Sequence, residues 1–211
     1  MQFQLNKPAE KLTFDNLDLT DRDTLLQSLP KSYQTGIEIG VWQGWYTAKM
    51  IHYTSMKIIA VDPWVATDSY EDVDHTLPDF EPYAVGPDGL LWQEARYIST
   101  INTLSKFPKQ RWDVLRSYSN RVVHFFEDNS LDFVYIDGEH SYEAVSDDIA
   151  CWWSKIKPGG IMAGHDYNET NPGTKQAVNE FAEKNNLEFK ITGTTVENGD
   201  ADAPSWLFIK E

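Results

Sequence analysis

Five short apolar runs, each followed by an amphipathic stretch, constrain this chain more than any other feature. They are Thr35–Gly40 (TGIEIG), Lys57–Asp62 (KIIAVD), Trp112–Arg116 (WDVLR), Leu131–Asp137 (LDFVYID) and Gly160–His165 (GIMAGH). Their hydrophobicity is continuous rather than alternating, as expected for strands covered on both faces of a parallel sheet. Helices are expected from a Thr20 cap through Leu29, then at Trp45–His52, Leu90–Phe107, Ser119–Asp128, Ser141–Ile156 and Thr174–Lys184. In Ser141–Ile156 the apolar stripe of Ala144, Val145, Ile149, Trp152 and Ile156 carries one acid, Asp148. The alternation predicts an α/β fold with a doubly wound, Rossmann-like sheet. Leu187–Thr192 and Trp206–Lys210 leave no room for a helix between them, so they read as an antiparallel pair at one sheet edge.

A chain of 211 residues with 41% hydrophobic side chains can bury one sizeable core, so 1–211 reads as a single domain. With 18 Lys plus Arg against 33 Asp plus Glu, the net charge is −15. That disfavours a nucleic-acid partner and an anionic membrane surface, and it leaves assembly into a homo-oligomer open. The lone Cys151 lies beside Trp152 in a helical stretch and reads as a packing residue. No run of 18 apolar residues and no signal-peptide layout is found, so a cytoplasmic location is expected. The stretch 63–89 carries Asp68, Glu71, Asp72, Asp74, Asp79, Glu81 and Asp88 with four prolines. It reads as an acidic active-site loop insertion, or else as a solvated surface loop.

The turn after the first run is Glu38-Ile39-Gly40-Val41-Trp42-Gln43-Gly44. Gly40 and Gly44 let the backbone approach a ligand, or simply allow tight strand–helix packing. A dinucleotide turn has glycine where Glu38 stands, and a carboxylate there repels pyrophosphate but suits a positive centre. Asp62 ends the second run, where an acid can accept both hydroxyls of a ribose. A ligand with a ribose, a positive centre and no phosphate fits both acids, and S-adenosylmethionine has those parts. Trp64 can lie against an adenine or be buried in the loop base. Tyr118 and Ser119 follow the third run, where a sheet-edge loop would meet the base, although Ser119 is equally a helix cap.

The fourth and fifth runs lead into Asp137-Gly138-Glu139-His140 and His165-Asp166-Tyr167. Strand ends share one crevice in an open α/β sheet, so Asp137 and Asp166 converge. Two carboxylates suit Mg²⁺, and His165 as a third ligand would favour Mn²⁺, Fe²⁺ or Zn²⁺. His140, three residues past Asp137, can serve as a general base. Against these stand a helix-capping Asp137, a structural His165, a surface His140 and a solvated Glu139.

The run Leu131–Tyr167 resembles class I S-adenosylmethionine-dependent methyltransferases of the macrocin O-methyltransferase and cephalosporin-hydroxylase-like group. EIGVWQG and AVDPW are similar to that group's cofactor motifs, and Pro172–Val178 and Pro204-Ser205-Trp206 to its C-terminal half. The resemblance implies about seven strands with the last antiparallel, and a divalent cation on Asp137 and Asp166. It implies a base at His140 and cofactor contacts at Glu38, Gly40, Asp62 and Ser119. Relatives usually carry an acid where His165 stands. The expected reaction is methylation of a small hydroxylated acceptor, such as a sugar or glycoside, with Tyr70, Phe80 and Tyr83 of the acidic loop stacking on it. The rivals are a zinc hydrolase using Asp137, His140, His165 and Asp166, a non-catalytic S-adenosylmethionine- or sugar-binding module, and a nicotinamide oxidoreductase. The last is opposed by the unsuitable phosphate turn.

Overall fold

The computed structural model describes residues 11–65, 86–194, 196–197 and 200–211. Most of the acidic insertion, with Tyr70, Phe80, Tyr83 and His75, lies outside the described residues. The strands are β1 (Thr35–Ile39), β2 (Lys57–Asp62), β3 (Trp112–Arg116), β4 (Leu131–Ile136), β5 (Ile156–Gly164), β6 (Lys190–Ile191), β7 (Val196–Glu197), β8 (Asp200–Ala201) and β9 (Trp206–Ile209). The helices are α1 (Arg22–Ser28), α2 (Trp45–Tyr53), α3 (Gly86–Leu104), α4 (Ser119–Val122), α5 (Tyr142–Trp153) and α6 (Pro172–Asn185). The main sheet runs β3-β2-β1-β4-β5-β9-β6, and β7 and β8 form a separate hairpin.

β1 to β5 are parallel, whereas β9 pairs antiparallel with both β5 and β6. The two C-terminal runs therefore pair as expected. The last strand sits inside, next to β5, and β6 forms the edge. All six residues of β4 are buried, and the one charged residue among them, Asp132, accepts from the Gln34 and Thr35 amides. The strand's side chains alternate between two cores. Phe133 and Tyr135 join Leu25, Met50, Ile58 and Trp64 on the α1–α3 side. Val134 and Ile136 join Ile149, Trp152, Val178 and Phe208 on the α4–α6 side. Cys151 packs half-buried against the second core. No described helix is long and apolar enough to cross a membrane.

Helix boundaries differ from expectation at several ends, at α1 and α4 for clear local reasons. Asp21, not Thr20, caps α1. Its carboxylate accepts from the Asp23 and Thr24 amides at 2.8 and 2.7 Å, and its own amide donates to the Thr24 hydroxyl at 3.0 Å. The helix expected over Ser119–Asp128 is only the short α4, followed by a 3-10 turn at Val123–Phe125. The β-branched Val122 and Val123 at the junction are poor helix formers. α5 is capped by Ser141, whose Oγ accepts from the Ala144 amide at 3.3 Å. Asp137 is thereby free of the capping role that was its structural alternative.

Candidate active site

Parallel pairing brings the strand ends together. Asp137 N donates to Ile39 O at 2.7 Å, and His165 N donates to Ile136 O at 2.9 Å. These bonds extend the β1–β4–β5 ladder by one residue and set Asp137 beside His165 and Asp166. Asp166 has φ of +58°, a left-handed conformation that aspartate tolerates better than most residues. Its carboxylate accepts from His140 Nε2 at 2.9 Å, His165 Nδ1 at 3.1 Å and Asn171 Nδ2 at 3.2 Å.

His165 is held on both ring nitrogens. Nδ1 faces Asp166 and, at 3.6 Å, Asp137, and Nε2 faces Asp202 at 3.2 Å. Burial opposes the ring's charge, but hydrogen bonds to Asp137, Asp166 and Asp202 override it, and the pKa is raised far above the ordinary histidine value. Expected as a third ligand, His165 here ties three carboxylates together. Arg22 adds a second fixed cation, with Nε 2.7 Å from Asp202 and Nη1 3.8 Å from Asp137, and its guanidinium lies 4.7 Å from the Tyr46 ring centre.

Asp137, His140 and Asp166 each offer one ligand atom, and all three atoms lie within 4.8 Å of one another. Two carboxylate oxygens and one imidazole nitrogen form a donor set that fits a divalent cation. His140 is thus brought where His165 was expected. Burial of its ring opposes protonation, and the bond to Asp166 overrides this, so its pKa is raised. Its backbone is fixed by the start of α6, because a Cβ on Gly173 would stand 2.5 Å from His140 O.

The glycine turn serves packing at both positions. Gly40 has φ of +81°, and a Cβ there would stand 2.0 Å from Asp137 O. Gly44, at +76°, begins α2 against Thr100 of α3. Glu38 is 1% exposed, and its carboxyl takes the Thr47 hydroxyl proton as a hydrogen bond. Burial pushes its pKa well above the usual carboxyl range.

Asp62 accepts from Val41 N at 2.9 Å, Trp42 N at 3.1 Å and Trp64 N at 2.7 Å. A carboxylate offers about four acceptor positions. The turn occupies three of them, so Asp62 keeps room for about one further donor rather than for both ribose hydroxyls. Asp62→Asn should therefore weaken the turn as well as any ligand contact. The expected result is a thermal midpoint lower by ~3–6 °C, from roughly 1–2 kcal/mol of lost charged hydrogen bonding. An unchanged midpoint would show that the turn does not depend on this carboxylate.

Trp64 is 1% exposed and donates its indole N–H to Trp42 O at 2.8 Å. It takes the buried alternative, and its ring leaves no face for an adenine. Tyr118 is exposed, while Ser119 Oγ donates to Asp148 in place of capping α4. Glu139 is exposed, as expected. Burial is the main cause of the rise of the Asp148 pKa to about 6, and Asp147 and Glu139 add to it while the Ser119 bond opposes it. A folded pKa above the unfolded value means a contribution that is full below about pH 4 and lost as pH rises through about 6. Asp148→Asn should therefore be more stable than wild type at pH 7.5 by ~2 kcal/mol, and the advantage should vanish at pH 4. Denaturant melts at the two pH values check this, and a pH-independent difference would overturn it.

Arg22 and Asp202 were not legible as site residues. Arg22 belongs to an ordinary amphipathic helix, and Asp202 lies among several acids in a Gly-Asp-Ala-Asp-Ala stretch. The one available signal was the Pro204-Ser205-Trp206 motif just after Asp202, which the resemblance had already marked.

Comparisons with known proteins place the chain in a family and match its fold. A family model described as a methyltransferase domain matches residues 37–167, from β1 to just past Asp166. A mimivirus protein of unassigned function, from Acanthamoeba polyphaga mimivirus, is 21% identical over 164 residues, covering 75% of this chain and 64% of that relative. The chain thus spans under two thirds of the relative's length. The O-methyltransferase TomG of Streptomyces achromogenes, solved with S-adenosylmethionine, shares the fold at TM-score 0.62 and 8% identity, covering 90% of this chain and 80% of that one. An O-methyltransferase of Bacillus cereus, solved with S-adenosylhomocysteine, does so at TM-score 0.62 and 12% identity, covering 96% and 84%. With the family model spanning the glycine turn, the second-strand acid and both halves of the acid–histidine cluster, the chain belongs to this methyltransferase-domain family.

Proposed function

We propose that the protein is an S-adenosylmethionine-dependent O-methyltransferase, assisted by a divalent cation, that acts on a small hydroxylated acceptor of the sugar or glycoside class. The observation that carries the reading is the Asp166–His140 contact of 2.9 Å at the same sheet edge as the glycine turn. Family membership supports methyl transfer, and the solved O-methyltransferases of like fold support the cofactor. The resemblance to the macrocin O-methyltransferase group supports the oxygen acceptor and its class. Glu38, Gly40, Gly44, Asp62, Tyr118 and Ser119 border the cofactor side, and Trp64 shapes the turn from beneath. S-adenosylmethionine, when bound, supplies an electrophilic methyl group.

With Nε2 donating to Asp166, Nδ1 of His140 would take the proton that the acceptor hydroxyl loses on methylation, the methyl–sulfur bond breaking so that S-adenosylhomocysteine is the leaving group. Asp166 orients the imidazole and favours its protonated form after transfer. His165 and Arg22 hold Asp137, Asp166 and Asp202 in place, so the acidic edge does not spread by mutual repulsion. Placement of two reactants in one crevice accounts for much of the rate such a site can provide. Asp137 and Asp166 would hold the cation, which when bound lowers the pKa of the acceptor hydroxyl. A second reading, favoured by the three ligand atoms within 4.8 Å, makes His140 a ligand rather than the base.

Transfer to a panel of hydroxylated sugars is the test. Methyl transfer should fall on EDTA treatment and return with Mg²⁺ or Mn²⁺. Full activity in EDTA, with no metal in the purified protein, would remove the cation from the proposal. Absence of S-adenosylhomocysteine binding would remove the cofactor.

A further inference from the structure

Two stretches take no part in the reaction proposed above, Pro172–Val178 at the start of α6 and Pro204-Ser205-Trp206 leading into β9. Each contributes a buried polar side-chain atom with no partner among the described residues, Thr174 Oγ1 and Trp206 Nε1. Thr174 is 2% exposed and Trp206 0%. A buried polar group left unpaired is destabilising, so each one in a native fold calls for an explanation. The two residues line the same cavity, which the Asp137–His140 loop, His165 and Val145 of α5 also wall. Its volume is about 10 Å³, at the lower bound for one water and too little for anything larger. Trp152 Nε1 is also buried without a partner among the described residues, but Trp152 does not line this cavity.

The backbone around the cavity is closely packed. A Cβ on Gly173, one residue before Thr174, would stand 2.5 Å from His140 O and 2.6 Å from Tyr142 N. A Cβ on Gly164, one residue before His165, would stand 2.4 Å from Trp206 Cζ2. The α6 start is thus pressed on the His140 side of the acid–histidine cluster, and the indole on the His165 side.

We infer that the cavity is a water site, and that its water joins the Trp206 N–H and the Thr174 hydroxyl to the Asp137–His140 loop. The indole only donates, whereas the hydroxyl donates and accepts. Water matches both, and an apolar occupant would leave both unpaired. A buried water makes about three hydrogen bonds, and the loop is the polar wall that remains for the third. Thr174 and Trp206 are then positioning residues. They act on His140 through the water and touch no substrate. The Gly173 contact stops the loop moving toward α6, and the water stops it moving away. Together they keep His140 Nε2 at 2.9 Å from Asp166. Only the consequence for turnover rests on the methyltransferase reading.

The test compares wild type with Thr174→Val and Thr174→Ser, in atomic-resolution crystal structures and in turnover. Wild type should show one ordered oxygen within about 2.7–3.2 Å of both Trp206 Nε1 and Thr174 Oγ1. Thr174→Val keeps the shape and removes the hydroxyl. It should lose the water, and His140 Nε2 should move out of hydrogen-bond range of Asp166. Thr174→Ser keeps the hydroxyl and should keep both the water and the contact. Turnover of methyl transfer should fall by about 10–100-fold in Thr174→Val, the usual effect of a small misplacement, and stay near wild type in Thr174→Ser. The KM for S-adenosylmethionine should change little in either variant.

A dry cavity in wild type overturns the inference. So does a Thr174→Val structure in which His140 keeps its contact with Asp166. Equal loss of turnover in the valine and serine variants overturns it too, since the hydroxyl would not be the cause. A wild type that transfers no methyl group overturns the proposed reaction instead, and the two crystallographic readouts still decide this inference.

Discussion

His140→Ala should lower the turnover of methyl transfer by ~10²–10⁴-fold, the usual contribution of a positioned general base, with S-adenosylhomocysteine affinity near wild type. The geometry makes this a sharp test. The imidazole is held at Nε2 by Asp166, and the backbone of His140 is pressed by the α6 start at Gly173. Removing the ring therefore leaves the loop in place, and the loss belongs to the side chain. The same variant separates the two roles of this residue. As base, His140 can be lost without changing metal affinity measured by Mn²⁺ titration. As ligand, its loss weakens metal binding and rate together. Near-wild-type turnover would eliminate both roles and return His140 to the surface residue it otherwise resembles.

Fold and site were legible to different depths for physical reasons. A buried parallel strand writes itself as a nearly continuous apolar run, and β4 does so with one charged interruption, Asp132, whose carboxylate accepts from the Gln34 and Thr35 amides. The order of such strands follows from their connections, so the crevice and the meeting of Asp137 with Asp166 could be read directly. What could not be read was which groups would reach that crevice from elsewhere. Arg22 arrives from α1 and Asp202 from the segment after a two-stranded hairpin, and neither position has a periodicity that marks it. Their arrival changes the chemistry, because it sets both ring nitrogens of His165 against carboxylates.

Hydrogen-bond capacity was equally hidden. Asp62 was correctly placed at the end of β2, yet most of its acceptor positions serve the amides of Val41, Trp42 and Trp64. Trp64 follows an acid and a proline in a way that suits a ligand-facing ring, but its indole N–H finds Trp42 O and the ring is buried. In both cases the backbone of the glycine turn uses groups that sequence alone offers to a ligand.

Gly40→Ala should be the most damaging single methyl in the site, lowering stability by ~4 kcal/mol or more and the thermal midpoint by roughly 8–16 °C. Two effects add. At φ of +81° any side chain is strained against its own backbone, which alone costs ~1–2 kcal/mol. The new Cβ would also stand 2.0 Å from Asp137 O and 2.5 Å from Gly138 Cα, both backbone atoms with no rotamer to yield. Relief requires the β1 turn and the β4–α5 loop to separate. That movement would pull Asp137 away from Asp166 and the turn away from Asp62. Lost stability should therefore come with lost cofactor and metal binding in whatever fraction remains folded. Gly44→Ala, facing Thr100 at 3.0 Å across α3, should be milder because the nearest atom is a side-chain methyl. Equal melting temperatures for wild type and Gly40→Ala would mean that the two loops are not locked together. Gly40 would then not tie the glycine turn to the acid–histidine cluster.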